Sequence, residues 1–267
     1  QIVSGNANFS LLNRAINRAG LAAALSSGTY TVFAPDNAAF TAAGINEAAI
    51  DATAPADLAD LLQYHVVAAN VPSSGVPASD TVKTLLGINI YASKNANGVF
   101  VNGVKVKTAD QTAANGVIHT IEAVLDVPDE TIAEFVSGAP NFSLLLTAVS
   151  HGGLVGAVSG PGKYTVFAPT NAAFAAAGFP DAASITAAPS AAIAAVVLGH
   201  IIPTNVFASD LINASTAPTL QTGVSLLVGT TPPSVKVNGS SNPVSNIDVA
   251  GGNFNIITTN GVIHVID

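Results

Sequence analysis

The sequence predicts an α+β chain built twice over, and three observations carry that reading. Helical periodicity gathers early in each half, short β-branched runs broken by Gly and Asn gather late, and one eleven-residue string occurs twice. Tyr30-Thr-Val-Phe-Ala-Pro-Asp-Asn-Ala-Ala-Phe40 returns as Tyr164-Thr-Val-Phe-Ala-Pro-Thr-Asn-Ala-Ala-Phe174, changed only at Asp36/Thr170. Further anchors keep the same order: Asn8-Phe-Ser-Leu-Leu12 with Asn141-Phe-Ser-Leu-Leu145, His65 with His200, and Asn115-Gly-Val-Ile-His119 with Asn260-Gly-Val-Ile-His264.

In the first copy, Phe9, Leu12, Ala15, Ile16 and Ala19 recur at helical spacing, with Asn8 or Ser10 placed to cap the helix, and Gly20 to Ser26 continues as a second short helix. Tyr30 to Ala34 is a β-branched and aromatic strand stopped by Pro35, after which Asp36 caps a helical turn reaching Phe40. Asp57 to Tyr64 is helical by its leucines and opened by Pro55. Short strands follow at Val82 to Leu86, Ile88 to Ser93, Val99 to Asn102, Val104 to Thr108 and Val117 to Leu125, so an antiparallel sheet or sandwich closes the copy.

The copies divide at 1–127 and 128–267, with the linker near Val127-Pro128-Asp129. The anchor offsets place about nine extra residues in the second copy between Asn238 and Asn260, at a Gly251-Gly252 turn of a lengthened hairpin. Ile132 to Val136 opens the second copy as a short helix that the first copy lacks for the most part, since Gln1 aligns with Glu134. The second copy stops at the equivalent of Glu122, so its last strand is cut short and both ends are expected to belong to a longer protein.

Composition narrows the functions. The 267 residues are 49% hydrophobic and 9% charged, with a net charge of −8 and no Cys. Eight Lys and Arg against sixteen Asp and Glu offer no basic field for nucleic acid. The longest apolar run, Ala191 to Leu198, is far shorter than the roughly 20 residues that cross a bilayer. Without Cys there are no disulfides, thiolate metal sites or Cys nucleophiles. The low charge is uneven: residues 1–133 hold six basic and eleven acidic side chains, and residues 134–267 hold two and five. Three accounts fit a copy with so few charges: cover by glycans at Asn213 and Asn238, packing against another subunit or protein, or solvation by its many Ser, Thr and Asn. The sharper one, since charge depletion marks interface cores, makes the second copy the larger candidate association surface.

Four of the five His, at 65, 119, 200 and 264, occupy equivalent places in the two copies. Two per copy make half a tetrahedral zinc site, and the best-placed carboxylate, Asp36, is Thr170 in the second copy. Glu122 and Asp267, three residues beyond His119 and His264, fall on the opposite strand face. No nucleophile elbow, metalloprotease string or phosphate loop occurs. The reading is therefore non-enzymatic, with no catalytic residue, metal or cofactor.

Both copies resemble fasciclin domains, the modules of extracellular adhesion proteins. The resemblance rests on Tyr30 to Phe40 and Tyr164 to Phe174 for the first motif, and on Asn115 to Ile121 and Asn260 to Ile266 for the second. The Tyr-His pair usual between them is present as Tyr64-His65 and reduced to Gly199-His200. The resemblance implies a wedge-shaped β-sandwich with packed short α-helices, secreted or held at the cell surface, working through contacts with other proteins or with itself. Tyr64, His65 and His200 are thereby candidate partner contacts. An Asp-Ile pair ahead of the second motif contributes to integrin recognition in some animal members. Here the positions read Asp110-Gln111 and Asn255-Ile256, half a pair each, which argues against integrin binding by that route and leaves Asp110, Asn255 and Ile256 as contact candidates. Four Asn-x-Ser sequons, at Asn8, Asn141, Asn213 and Asn238, are glycan acceptors if the chain is secreted by a eukaryote. The rival function, suggested by a resemblance to algal fasciclin-like proteins, is an extracellular carrier of an apolar small ligand such as a carotenoid.

Overall fold

The computed structural model describes residues 3–76, 79–211, 215–230, 233–241 and 243–267. The chain divides into two compact units, Gln1–Val127 and Pro128–Asp267.

In the first unit a 3-10 turn at Ala7–Phe9 runs into α1 (Ser10–Arg18), whose Leu11, Leu12 and Ala15 are buried. Its N-terminus is closed from a distance: Asn37 Oδ1 accepts the Leu11 N–H at 3.1 Å while Asn37 Nδ2 donates to the Ala7 carbonyl at 2.9 Å and to Ser10 Oγ at 3.0 Å. Neither Asn8 nor Ser10 supplies the cap. Asn37 can do so because it follows β1 (Tyr30–Pro35) and opens α2 (Asn37–Ala42), which Asp36 caps through the Ala39 N–H at 2.9 Å. Asn171 repeats the clamp on Leu144, Pro140 and Ser143 in the second unit, and Thr170 Oγ1 takes over the cap on Ala173. The one difference between the repeated strings thus exchanges one N-cap residue for another.

Next come α3 (Glu47–Ala52), capped by Asn46, and α4 (Pro55–Tyr64) with Pro at its first position. The strands are β2 (Val66–Val67), β3 (Ser79–Lys83), β4 (Asn89–Asn95), β5 (Gly98–Val101), β6 (Val104–Ala113) and β7 (Gly116–Ile121). They form one sheet in the order β2-β1-β7-β6-β5-β4-β3. Its central pair, β1 and β7, is parallel from Tyr30 opposite Gly116 to Pro35 opposite Ile121. This corrects the wholly antiparallel expectation: the two repeated motifs are neighbouring strands joined by everything between them. A bridge from Val67 to Thr84 brings the two edges together, and the Leu85 N–H donates to the Val66 carbonyl at 2.8 Å, so the sheet nearly closes on itself. Phe33 and Ile121 face into that curl with Tyr64, Ile90 and Val101, whereas Ala34 and Ile118 face the helices with Phe9, Leu12, Phe40 and Leu62.

Three other expectations shift. Gly20 to Ser26 gives only a 3-10 turn at Ala24–Ser26 in this unit. The strand expected at Val82 to Leu86 ends at Lys83, because Thr84 turns the chain back through bonds to the Ile88 carbonyl. The last strand stops at Ile121, and α3 has no counterpart in the sequence reading.

The second unit opens with α5 (Ile132–Gly138), fixed by a capping box of Thr131 and Glu134, then α6 (Ser143–His151) and α7 (Val155–Ser159). After β8 (Tyr164–Pro169) come α8 (Asn171–Ala176), α9 (Ala182–Ala187), α10 (Ser190–Gly199) and β9 (Ile201–Ile202). The remaining strands are β10 (Thr216–Pro218), β11 (Ser225–Thr230), β12 (Pro233–Val237), β13 (Ser245–Asn246), β14 (Ile256–Thr258) and β15 (Gly261–Ile266). Two sheets result, β10-β11-β12-β13 and β14-β15-β8-β9, linked by a bridge from Ile247 to Ile266. Strands β8 and β15 repeat the parallel pairing. The single strand β6 is here split into β13 and β14 by a turn in which Asp248 Oδ1 accepts the Gly251 N–H at 2.8 Å and Oδ2 accepts from Asn253 Nδ2 at 2.7 Å.

The Asn-Gly of the second motif is explained by this pairing. Asn115 Nδ2 donates to the carbonyls of Leu25 and Gly28, both at 2.9 Å, and Asn260 does the same to Val158 and Gly160 at 2.9 and 3.0 Å. Gly116 stands at φ +149° with the Tyr30 carbonyl where a Cβ would be, 1.8 Å away, and Gly261 meets the Tyr164 carbonyl at 2.2 Å. Only glycine admits so close an approach.

Candidate functional site

The repeated polar residues converge on one feature in each unit, a residue held in the left-handed backbone region ahead of the second motif and the loop beside it. In β6 the pairing with β7 slips on either side of Thr108, and Asp110 takes φ +59°. Asn255 takes φ +53° at the equivalent place. Such a backbone is strained for a residue with a Cβ and tolerated best by Asn and Asp. It is held from behind by the motif histidine. The Asp110 N–H donates to His119 Nδ1 at 3.2 Å, and His119 Nε2 donates to the Val71 carbonyl at 2.9 Å. In the second unit the Asn255 N–H donates to His264 Nδ1 at 3.3 Å, and Nε2 donates to the Val206 carbonyl at 2.8 Å. Each imidazole is buried, against Phe33 at 5.5 Å and Phe167 at 5.4 Å between ring centroids. Burial pushes His264 down to about 4, so the ring is neutral with its proton on Nε2.

The side chain at this position fastens the loop. Asp110 Oδ1 accepts the Ser73 N–H at 2.7 Å and Oδ2 accepts the Ser73 hydroxyl, while Asn255 Oδ1 accepts the Ala208 N–H at 2.8 Å. The Ser73 bonds hold the Asp110 carboxyl below its ordinary value. Thr31 completes the attachment, donating to the Ala69 carbonyl at 2.6 Å and accepting the Val71 N–H at 2.8 Å; Thr165 does the same with Thr204 and Val206. Sequence reasoning missed Thr31, Thr165, Asn37 and Asn171. Their signal was available in the identity of the two motif copies at those positions.

The other candidates are placed differently. Tyr64 is 0% exposed, its hydroxyl donating to the Asn89 carbonyl at 3.3 Å and accepting from Asn102 Nδ2 at 2.9 Å, and burial pushes it up to about 12. His65 is 2% exposed, donating through Nδ1 to the Leu61 carbonyl at 2.7 Å and accepting the Leu125 N–H on Nε2 at 2.9 Å; burial pushes it down to about 4. In this fold neither presents a surface to a partner. His200 is half-buried beside the side chains of Val197 and Ile201, donates through Nδ1 to the Val196 carbonyl at 2.8 Å, and is lowered by desolvation. Ile256 packs on the core of the second unit, and Asp110 lies at the surface. Asn8, Asn141 and Asn238 are exposed; Asn213 lies outside the described residues.

Among the described residues no three His, Asp or Glu side chains converge as a metal site, and no single helix is long and apolar enough to cross a membrane. In His65, His119 and His264 both ring nitrogens are committed to backbone groups.

Fold and site together define a tandem of two like α+β domains whose recurring polar residues hold a left-handed backbone position and the loop beside it. The family model described as the fasciclin domain matches residues 7–128 and again residues 140–267. The chain belongs to the fasciclin-domain family. It is 29% identical over 245 residues to transforming growth factor-beta-induced protein ig-h3 of Sus scrofa, covering 90% of this chain and 34% of that protein. Protein sll1483 of Synechocystis sp. is 37% identical over 131 residues, covering 48% of this chain and 72% of that protein. The chain therefore spans about a third of the length of the first of these relatives. Among solved structures, a domain pair from the insect cell adhesion molecule fasciclin I aligns over 96% of this chain and 94% of that one, at 18% identity and a TM-score of 0.46.

Proposed function

We propose that this chain is an extracellular adhesion or matrix module that works through protein contacts and without catalysis. The observation that carries the reading is that the recurring polar residues of both fasciclin domains are bonded into the fold, with three of the four repeated histidines saturated by backbone groups. What the repeats preserve is a held surface, the loop ending at Ser73 and its counterpart at Ala208, with Asp110 and Asn255 as its fasteners. The exposed sequons at Asn8, Asn141 and Asn238 are compatible with a glycosylated surface. The test is attachment. Beads coated with the full chain are expected to cluster or to bind cells above albumin-coated beads, and absence of both ends the adhesion reading.

A second reading, carriage of an apolar ligand such as a carotenoid, draws on a composition that is 49% hydrophobic and only 9% charged. A visible absorption band that purifies with the natural protein would support it, and a colourless protein would remove it.

A further inference from the structure

Asparagine followed by glycine is among the least durable steps in a protein chain, because glycine has no side chain to keep its amide nitrogen away from the asparagine carboxamide. The chain holds five such steps, at Asn97, Asn102, Asn115, Asn238 and Asn260. The fold clamps three of them. Asn102 accepts the Tyr91 N–H on Oδ1 at 2.7 Å and donates from Nδ2 to the Tyr64 hydroxyl at 2.9 Å. Asn115 and Asn260 each spend Nδ2 on two carbonyls, and the glycine after each is wedged against the neighbouring strand. Asn97 is exposed, but Gly98 pairs with Asn95 and so has its nitrogen held in the last rung of the β4–β5 ladder.

Asn238 is placed differently. It stands exposed one residue beyond β12, and its Nδ2 makes a single long contact, 3.4 Å from Ser225 Oγ. The turn is fixed by its flanks: the Asn238 N–H donates to the Ser225 carbonyl at 2.8 Å, and the Ser240 N–H to the Val237 carbonyl at 3.2 Å. Between them Gly239 is exposed at φ +75°, and among the described residues nothing accepts its N–H. A nucleophilic nitrogen and its target amide thus stand side by side, both open to water.

We propose that Asn238-Gly239 is a self-modifying site, at which the asparagine is converted through a succinimide into aspartate and isoaspartate. The Gly239 nitrogen forms a bond to Asn238 Cγ, the Cγ–Nδ2 bond breaks, and ammonia leaves carrying the proton that Gly239 gives up. Water then opens the ring. Hydrolysis at Cγ leaves aspartate and hydrolysis at the main-chain carbonyl leaves isoaspartate; either way a water is consumed, an ammonia is released and nothing is oxidised. Both products put a new carboxylate on the charge-poor second unit, and isoaspartate also adds a methylene to the main chain of the turn. Asn238 is the acceptor of an Asn-Gly-Ser sequon, and the nitrogen that would carry a glycan is the atom expelled here. Glycosylation and this conversion therefore exclude one another. The chemistry needs no partner, so it stands apart from the adhesion reading.

Incubation of the unglycosylated full chain at neutral pH and body temperature tests this, read by peptide mapping with fragmentation that separates aspartate from isoaspartate. Asn238 is expected to convert about tenfold faster than Asn97, Asn102, Asn115 or Asn260, which react only when the structure opens locally. In urea the five should converge to within about threefold, since each is then an open Asn-Gly step. Gly239→Ala should slow the conversion about tenfold with unchanged circular dichroism. Asn238→Gln should remove it from that peptide. The proposal is overturned if Asn238 stays intact in the folded chain over a period in which the urea-unfolded chain converts, or if it reacts no faster than Asn97. Conversion beneath an attached glycan would overturn the ammonia-expelling step.

Discussion

The backbone N–H of Asp110 donates to Nδ1 of His119, and the N–H of Asn255 stands in the same relation to His264. In both units the ring joins a left-handed backbone position to a loop carbonyl, so a residue type associated with chemistry here supports conformation. His264→Ala would orphan the Asn255 N–H and the Val206 carbonyl and leave a hole beside Phe167. The expected loss is about 2–4 kcal/mol in urea unfolding. A loss below about 0.5 kcal/mol would show that the ring is not what holds Asn255 in its left-handed backbone.

Burial makes the fold sensitive to acid. His65 and His264 are lowered to about 4 from an ordinary value of 6.5, so below pH 6.5 the unfolded chain takes up protons that the folded chain refuses. The stability they lend is complete above pH 6.5 and declines as pH falls through 4, by about 3 kcal/mol for each ring. Asp126, raised by burial, acts in the opposite sense. Urea midpoints at pH 7, 5.5 and 4.5 should fall steadily, and His65→Gln should flatten the slope. A midpoint constant over that range contradicts the assignment of neutral, buried rings.

Asn37 makes three hydrogen bonds to the entry of α1, and Asn171 three to the entry of α6. Replacing either with Ala should cost about 1–2 kcal/mol, at the upper end of a lost cap. Asp36→Thr imports the second unit's cap and gives up only the half-exposed pair with Lys107, at 2.8 Å. It should cost less than about 1 kcal/mol. Thermal melts of the three variants rank them, and an Asp36→Thr chain weaker than Asn37→Ala would reverse the argument.

Much of this architecture was legible because the chain repeats itself. The string from Tyr30 to Phe40 located a strand and a capped turn, and the one change within it proved to be an exchange of caps. Local periodicity could not reveal that β1 pairs in parallel with β7, since that contact joins residues such as Tyr30 and Gly116 across most of the unit. Nor could it reveal the Asn37 clamp, which acts on a helix 26 residues earlier. The candidate contacts at Tyr64 and His65 turned inward for a similar reason. Their bonds run to Asn102 and Leu125, which lie on later segments of the chain, so their burial is a property of the closed sheet.

The parallel pairing of the two motifs depends on Gly116. A methyl group there would sit 1.8 Å from the Tyr30 carbonyl oxygen, well inside contact distance, and φ of +149° would be strained for any other residue. The obstacle is backbone within the central strand pair, so relief requires β1 and β7 to separate. That separation would break the alternation that sends Phe33 into the curled sheet and Ala34 toward the helices. Gly116→Ala should therefore cost more than about 4 kcal/mol and abolish the native amide resonances of the first unit while those of residues 128–267 remain. Gly261→Ala should do the reverse, its Cβ meeting the Tyr164 carbonyl at 2.2 Å and Ile132 Cδ1 at 2.9 Å. If either variant keeps all its native resonances and loses less than about 1 kcal/mol, the close approach does not set the register.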